Sequence, residues 1–521
     1  MNYTKILTLL CTASWQLFVS DPQGFVDKVL ERGRLSGIPG AEVFQQLLAI
    51  GIRETKPGAY ALMQRGDMTK AAEMILESKQ LPTLHELKAA KRNLELAERL
   101  SKPIESDINS VRSPTQSRET RAARPLFFLN NSLPHTQSGY TFRTHETLRA
   151  LHSVGVDARG LTRLGYPVLV GKLPSDETEI VDGIEYRRAL PYVYPRTLLA
   201  RDRMMVDIIM DEAELVKANV LHTTTDFHNA QLVSQAAHKL SIPWVYEVRG
   251  ELHKTWLSKV PSDLRPAAAN SEFFQIAKRQ EIAAMQAADA VVALSELSKE
   301  RMVQDGVDEK KIHVIPNAVD ASLVGHSYEQ DHIRGELSLP SGTLVGTVTS
   351  VVDYEGLDDL IRTLTLDADM RVLIVGEGEA RPKLERLATE LDVADRVIFA
   401  GRKSNDEIWK WYAALDAFVM PRKDRAVCRS VTPVKGLIAQ ALGVPMVVSD
   451  LPALREITGG IAEYVTPEDP KSLLDGIRNV TRMRYPNDID ASSRQRSVDW
   501  AASHTWASNA RRYERLYANL L

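Results

Sequence analysis

Two successive series of short apolar runs, each alternating with amphipathic helical patterns, constrain this 521-residue chain more than any other feature. The first series begins at Pro125. Its runs Leu126–Leu129, Asn219–His222, Trp244–Val248, Ala290–Leu294 and His313–Ile315 read as buried strands, with a helix over about Tyr140–Val154. The second series is Leu344–Val348, Arg371–Val375, Val397–Ala400, Ala417–Met420 and Met446–Ser449. Short runs that are apolar throughout, with helices between them, suit strands covered on both faces by crossover helices. Two such series predict an α/β chain of two doubly wound, Rossmann-like domains with mainly parallel sheets. Ligands of such sheets bind beyond the carboxyl ends of the strands, so a cleft between the domains is the expected site.

The first hundred residues follow another pattern. They hold helical periodicities and no good strand, which predicts an all-α N-terminal module over residues 1–100. In Ala59–Ser78 the pair Gly66-Asp67 separates two amphipathic halves, as in a helical hairpin, and Leu84–Leu100 adds a further helix. Residues 101–124 lack apolar periodicity and carry Ser, Arg, Thr and Pro, as a linker does. The stretch Ile6–Val19 is shorter than the roughly 20 residues needed to span a bilayer, and no small-residue cleavage site follows it. It reads as a buried helix, with peripheral membrane association left open. Lys plus Arg is 65 against 68 for Asp plus Glu, a balance that gives no support to nucleic-acid binding. The two cysteines, Cys11 and Cys428, lie too far apart for a disulfide framework or a cysteine zinc site, and suit a reducing cytoplasmic setting. HExxH, GxSxG and the P-loop signature are all missing.

Three loops after strands carry chemistry. Ser138-Gly139 precedes Arg143, Thr144 and His145 at a helix start, suited to an anionic or hydroxyl-rich group or to a plain turn. Glu247, Arg249, Gly250, Glu251 and His253 gather at the end of Trp244–Val248, either as functional groups or as an ion-pair network. Arg422, Lys423, Arg425, Arg429 and Lys435 surround a strand-to-helix turn containing Thr432 and Pro433, which suggests an anion site; a solvated basic loop is the alternative. Gly376-Glu377-Gly378, after Arg371–Val375, says that backbone approaches something closely.

At these residues the chain resembles the retaining glycosyltransferases of the GT-B fold called family 4. The likeness covers about residues 125–521 and rests on segments in family order: 130–167 with the acceptor-side loop, IPWVYEVRGELHKTW, 287–320, VTSVVDYEGLDDLIRTL, VLIVGEGEARPKLERLATEL, VTPVKGLIAQALGVPMVVSDLPALREI, and the C-terminal HTWASNARRYERLYANLL. It implies an acceptor-side domain over 125–335, a donor-binding domain over 336–497, and a helix over 498–521 that crosses back to the first domain. It also implies a nucleoside diphosphate sugar as donor, a glycan or lipid-linked acceptor, cell-surface polysaccharide or glycolipid synthesis, and no metal or cofactor. The expected setting is cytoplasmic, with the inner face of the membrane left open, and the N-terminal helices are free to dock a protein partner.

On this reading Arg249 and Glu247 are the candidate catalytic groups. Arg422, Lys423, Thr432 and Lys435 bind donor phosphate, Ser138, Gly139, Arg143 and His145 form the acceptor-side loop, and Gly376 and Gly378 form the donor-side turn. The family's paired glutamates fall at Ser430 and Ile438, aligned on Ala439-Gln440-Ala441-Leu442-Gly443-Val444-Pro445. Its diphosphate-binding Arg and Lys fall near Ser350 and Glu355, and its histidine after the mid-domain strand falls at Arg249. These departures keep a second reading open, a catalytically inactive relative that binds or scaffolds. A nucleotide-sugar epimerase on the same fold is a third.

Overall fold

The structure is a computed structural model and describes residues 6, 8, 9, 12, 57–78, 84–104, 122–404, 406–482 and 488–521. The chain divides into two compact units. The first comprises Met1–Val292, Met302–His313 and Glu514–Leu521; the second comprises Ala293–Arg301 and Val314–Tyr513.

The first unit is built on strands β1 (Pro125–Leu129), β2 (Arg159–Thr162), β3 (Thr178–Val181), β4 (Ile184–Arg188), β5 (Val220–Thr224), β6 (Trp244–Val248), β7 (Ala290–Ala293) and β8 (Ile312–Val314). Their order is β3-β4-β2-β1-β5-β6-β7-β8. Pairings from β4 to β6 are parallel, while β3 runs antiparallel to β4. Strands β1, β5 and β7 are buried at every position, as helices on both faces require.

The second unit holds β9 (Thr343–Val348), β10 (Met370–Val375), β11 (Val397–Gly401), β12 (Ala417–Met420), β13 (Met446–Ser449) and β14 (Glu463–Val465). Its order is β11-β10-β9-β12-β13-β14, with every pair parallel. Strand order reverses between β1 and β5 in one sheet and between β9 and β12 in the other, the switch points where such sheets place ligands.

Both predicted strand series are present. Four strands went unread: β2, β3, β4 and β14. The sequences RGLT, TEIV, IEYRR and EYV mix charge with few apolar residues, and Ile180 on the edge strand β3 is exposed. The β3–β4 hairpin turns at Asp182-Gly183, both at positive φ.

In the N-terminal region the hairpin forms as helices Pro57–Arg65 and Met68–Leu76, followed by Leu84–Leu100. Ala59, Ala72, Ile75 and Ala90 make a small core of their own. Of Ile6–Val19, the described residues are helical, and Ile6 and Leu9 pack on Val168 and Leu190. The remainder of that stretch, and residues 105–121 of the expected linker, lie outside the described residues. The division between units falls at Val314 rather than near residue 335. The following segment is bonded into the second unit, with Gly325 N donating to Ala441 O at 2.8 Å and Tyr328 Oη to Leu442 O at 3.2 Å. No helix among the described residues is long and apolar enough to cross a membrane.

Helix Glu272–Ala287 carries a buried acid into the core of the first unit. Glu281 Oε1 accepts from Phe227 N at 3.0 Å, and Tyr246 Oη donates to Oε2 at 2.7 Å. Burial pushes the Glu281 carboxyl up from 4.5 to about 8. The folded acid therefore keeps its proton to a higher pH than the unfolded chain does. Its contribution to stability is complete below the unfolded value and is lost as pH rises through the folded one. Glu281→Gln should remove this part of the pH dependence. Calorimetry across pH should show the wild-type melting temperature falling toward pH 8 and a flatter profile for the variant; parallel profiles would contradict the assignment.

Candidate functional site

At the switch point of the second unit, the loops after β9, β10 and β12 are stacked backbone on backbone. A Cβ on Gly356 (φ +71°) would lie 1.8 Å from Pro421 O, one on Gly376 (φ +136°) 1.8 Å from Thr349 O, and one on Gly378 2.2 Å from Val351 O. The bonds Thr349 N→Val375 O at 2.9 Å, Val351 N→Glu377 O at 3.0 Å and Lys423 N→Tyr354 O at 3.0 Å tie the three loops together. The close approach read at Gly376 and Gly378 is thus to the chain's own β9 loop. These glycines build the frame on which the loops meet.

On this frame Glu355 is buried between two cations. Arg422 Nη2 donates to Oε1 at 2.9 Å and Nε to Oε2 at 3.3 Å, while Lys435 Nζ donates to Oε2 at 2.7 Å and also to Thr349 Oγ1. Arg422 Nη1 is spent on Val431 O at 3.1 Å. The Glu355 carboxyl is held below its ordinary value: burial alone would raise it, but Lys435 and Arg422 outweigh burial. Burial lowers the Lys435 ammonium to about 8, against the upward pull of Glu355.

The remaining loop cations are also paired. Lys423 meets Asp353 at 3.2 Å and Asp358 at 3.1 Å, Arg425 meets Glu468 at 2.9 Å, and Arg429 meets Asp424. The five cations read from sequence are thus all ion-paired, Arg429 to Asp424 within the loop and the others to carboxylates distant in sequence. Among these loop cations, Arg422 and Lys435 share one carboxylate, two positive charges against one, with Arg422 and Glu355 buried and Lys435 nearly so.

Thr432 does not start the following helix. Helix Lys435–Ala441 begins after Val434 with no side-chain cap, and Thr432 is buried with its carbonyl accepting from Asn317 Nδ2 at 3.1 Å. Ser430 Oγ donates to Ala426 O in its own helix, Ile438 packs against the apolar core, and Ser350 is exposed.

The first unit gathers its predicted residues around a different carboxylate. Glu247, fully buried, accepts from Arg143 Nε at 2.8 Å, from Arg249 Nε at 3.0 Å and from Arg249 Nη2 at 3.2 Å; His222 Nε2 lies 3.3 Å from Oε2. Arg249 Nη1 donates to Thr144 Oγ1 at 2.6 Å and to Tyr140 O at 2.9 Å. His222 stacks on Phe127 and its Nδ1 meets Tyr517 Oη at 2.8 Å; burial lowers its pKa, which favours the neutral ring. Arg249 and Arg143 hold the Glu247 carboxyl well below its usual range.

Glu247, read as catalytic, is therefore a structural anion with no exposed surface, and Arg249 and Arg143 are held by it. His145, read in the acceptor-side loop, is paired within the unit: its Nδ1 meets Tyr186 Oη at 2.9 Å and its Nε2 meets Asp182 Oδ2 at 3.0 Å, fastening the β3–β4 hairpin. Ser138 caps helix Gly139–Ser153 in a capping box with Thr141, and a Cβ on Gly139 would meet nothing within 4 Å. Of the second loop, Glu251 pairs with Lys254, and His253 is buried with Nδ1 unpartnered. Sequence reading missed His222, Tyr517 and Thr349 as members of these groups; a histidine inside the otherwise apolar start of β5 was the one available signal. Among the described residues no group of His, Cys, Asp and Glu is placed to hold a metal ion.

Comparison with known proteins follows the same two units. Residues 138–318 match the glycosyl transferase 4-like domain, and residues 342–482 match the glycosyl transferases group 1. The O-antigen biosynthesis glycosyltransferase WclY of Escherichia coli is 25% identical over 211 residues, 40% of this chain and 56% of that protein. The lipopolysaccharide core biosynthesis mannosyltransferase LpsB of Rhizobium meliloti is 28% identical over 176 residues, 31% of this chain and 48% of that protein. The chain thus spans about half the length of these curated relatives. Among solved structures, sucrose-phosphate synthase from Thermosynechococcus elongatus superposes with a TM-score of 0.59 at 17% identity, over 76% of this chain and 99% of that one. Anabaena HepE in complex with UDP does so at 0.55 and 15%, over 75% and 98%. At these identities the structural likeness is one of fold.

The Glu247 cluster makes a direct stability prediction. Glu247→Ala would leave Arg143 and Arg249 buried without their carboxylate, a loss of about 3–5 kcal/mol. Denaturant unfolding of the variant should show it in the transition of the first unit. A change below about 1 kcal/mol, the range of exposed pairs, would mean that the cluster is solvated.

Proposed function

The chain belongs to the group 1 glycosyltransferases of GT-B fold and family 4 type, and from that membership we propose that it moves a sugar from a nucleoside diphosphate sugar to a glycan or lipid-linked acceptor with retention of configuration. The observation that carries this reading is the buried Arg422–Glu355–Lys435 group, in cationic excess, at the switch point of a parallel sheet. A guanidinium fork and an ammonium suit the two phosphates of a leaving nucleoside diphosphate. In the proposed step the bond from the anomeric carbon to the phosphate oxygen breaks, and the acceptor oxygen bonds to that carbon on the same face. The acceptor's proton passes to the departing phosphate oxygen. Arg422 and Lys435 meet the charge that develops there, so the reading calls on side chains rather than a metal. The relatives named for O-antigen and lipopolysaccharide core synthesis support a cell-surface product. The solved relative holding UDP supports a nucleotide-sugar donor. A lipid-linked acceptor would bring the chain to the cytoplasmic membrane face as a peripheral protein.

One observation favours the second reading, an inactive relative. Glu355 already occupies both cations; Ile438, where the resemblance places one of the family's paired glutamates, packs against the apolar core. Calorimetry against UDP-, GDP-, ADP- and TDP-sugars separates the two. A donor at 100 times its Kd should stabilise the chain by about 2.7 kcal/mol. Lys435→Ala should cost about 1.5–3 kcal/mol of donor affinity, the worth of one charged contact. Because diphosphate needs the ammonium, wild-type affinity should fall as pH rises past about 8, and the variant's should not. Equal donor affinity in both proteins would show that the phosphates bind elsewhere. Silence across the whole panel, or donor binding without turnover on any acceptor, would leave the inactive relative.

A further inference from the structure

The helical hairpin at the N-terminus is hydrogen-bonded to the first turn of a helix of the first unit, Glu272–Ala287, which also keeps its own N-cap at Ser271. Asp67 stands at the N-cap of helix Met68–Leu76, yet its side chain makes no bond to that helix. Instead Asp67 Oδ1 accepts from Glu272 N at 3.4 Å, and Gly66 O accepts from Phe273 N at 3.0 Å, at the start of helix Glu272–Ala287. In return Glu272 accepts from Thr69 N at 2.7 Å and from Thr69 Oγ1 at 2.6 Å. Two helix N-termini, each with partial positive charge and unsatisfied N–H groups, thus face each other across two carboxylates. The fit is close: at Gly66 (φ +90°) a Cβ would lie 2.8 Å from Ser271 Oγ and 2.9 Å from the Trp256 ring.

The turn held in this way supports the segment that leaves Arg249. Trp256 packs on Phe273 with ring centroids 4.8 Å apart, and His253 meets Phe274 edge-on at 5.1 Å. Both aromatic anchors of helix Leu252–Lys259 therefore rest on the first turn that Asp67 and Gly66 fix. A second set of bonds keeps the N-terminal helices in place. Glu95 Oε1 accepts from Leu198 N at 2.6 Å, Arg99 forks onto Asp202 at 2.6 and 2.8 Å, and Lys102 O accepts from Gln231 and Gln280, each at 3.0 Å.

We propose that the hairpin Pro57–Leu76 is a built-in brace for residues 250–271, with Asp67 and Glu272 as positioning residues that set the acceptor-side surface. The surface that a separate protein partner would need is, on the hairpin's turn, taken up by the chain itself. The acceptor assignment rests on the proposed sugar transfer; the brace does not.

Hydrogen–deuterium exchange on the full-length chain tests it, with wild type compared to Glu272→Ala, Glu272→Gln and Thr69→Val. Loss of the cap in Glu272→Ala should speed exchange of the amides of residues 250–270 about ten-fold while β9–β14 stay unchanged. Glu272→Gln keeps both the side-chain volume and an oxygen for Thr69 N and should restore most of the protection, whereas the nearly isosteric Thr69→Val keeps the volume and loses the hydroxyl bond. Should Glu272→Ala unfold, Thr69→Val removes only the hydroxyl bond and gives the same local pattern more weakly. Unchanged exchange at 250–270, or a loosening by Thr69→Val spread evenly through the first unit, would overturn the brace. The measurement needs no donor, so the brace stands or falls separately from sugar transfer.

Discussion

Glu355 lies between Arg422 and Lys435, with nitrogens of both within hydrogen-bond distance of its two oxygens, and what the second unit is able to hold depends on that arrangement. Three loops have to meet for it to exist. They meet because Gly356, Gly376 and Gly378 lack side chains where carbonyl oxygens of neighbouring loops pass within van der Waals distance. A side chain at any of the three would push the β9 loop away from the β10 or β12 loop, and the carboxylate would lose one cation or both. A cation left buried and alone costs several kcal/mol, more than most single contacts in a folded chain. The backbone packing and the ion pairs are therefore one construction.

The first unit repeats the device with a different outcome. Glu247 also closes the end of a parallel strand and also holds two arginines, but a neutral His222 and the hydroxyl of Thr144 complete the set, and nothing in it faces solvent. It fixes the start of helix Gly139–Ser153 against β6 and Tyr517, in helix Trp506–Leu520, against β5. In the second unit Lys435 keeps part of its surface, and its partner Glu355 is shared. Similar residue types thus give a strut in one sheet and a candidate anion site in the other. The difference is how many of the polar atoms are already satisfied.

This explains how much could be read from sequence. Strands buried on both faces announce themselves as continuous apolar runs, and β1, β6, β12 and β13 were legible for that reason. The partly polar β2, β3, β4 and β14 carry no such signal. The loops with ionisable residues were legible as places, since charge at the carboxyl end of a buried strand is unusual. Their pairings were not, because Glu355 meets Arg422 and Lys435 across 67 and 80 residues, and Arg143 meets Glu247 across 104. Composition gives each residue a charge but no neighbour. The glycine turn at 376–378 was legible as a close approach, and only the fold says that the approach is to Thr349 and Val351. The Gly66-Asp67 turn was equally plain, while its partner Glu272 lies far along the chain.

Glu355 at first sight works against anion binding, since it places a negative charge where a diphosphate would go. The electrostatics of Lys435 point the other way. Burial lowers that ammonium and so does the neighbouring Arg422; Glu355 is the largest influence holding it up. Without the carboxylate, two buried cations would face each other, and the lysine is the one able to shed its proton, because a guanidinium keeps its charge. The site would then present Arg422 and a neutral amine, the same net charge as before with one charged donor fewer. The carboxylate that formally cancels one charge of the site is thus what keeps two charged donors side by side, ready to be shared with an incoming anion.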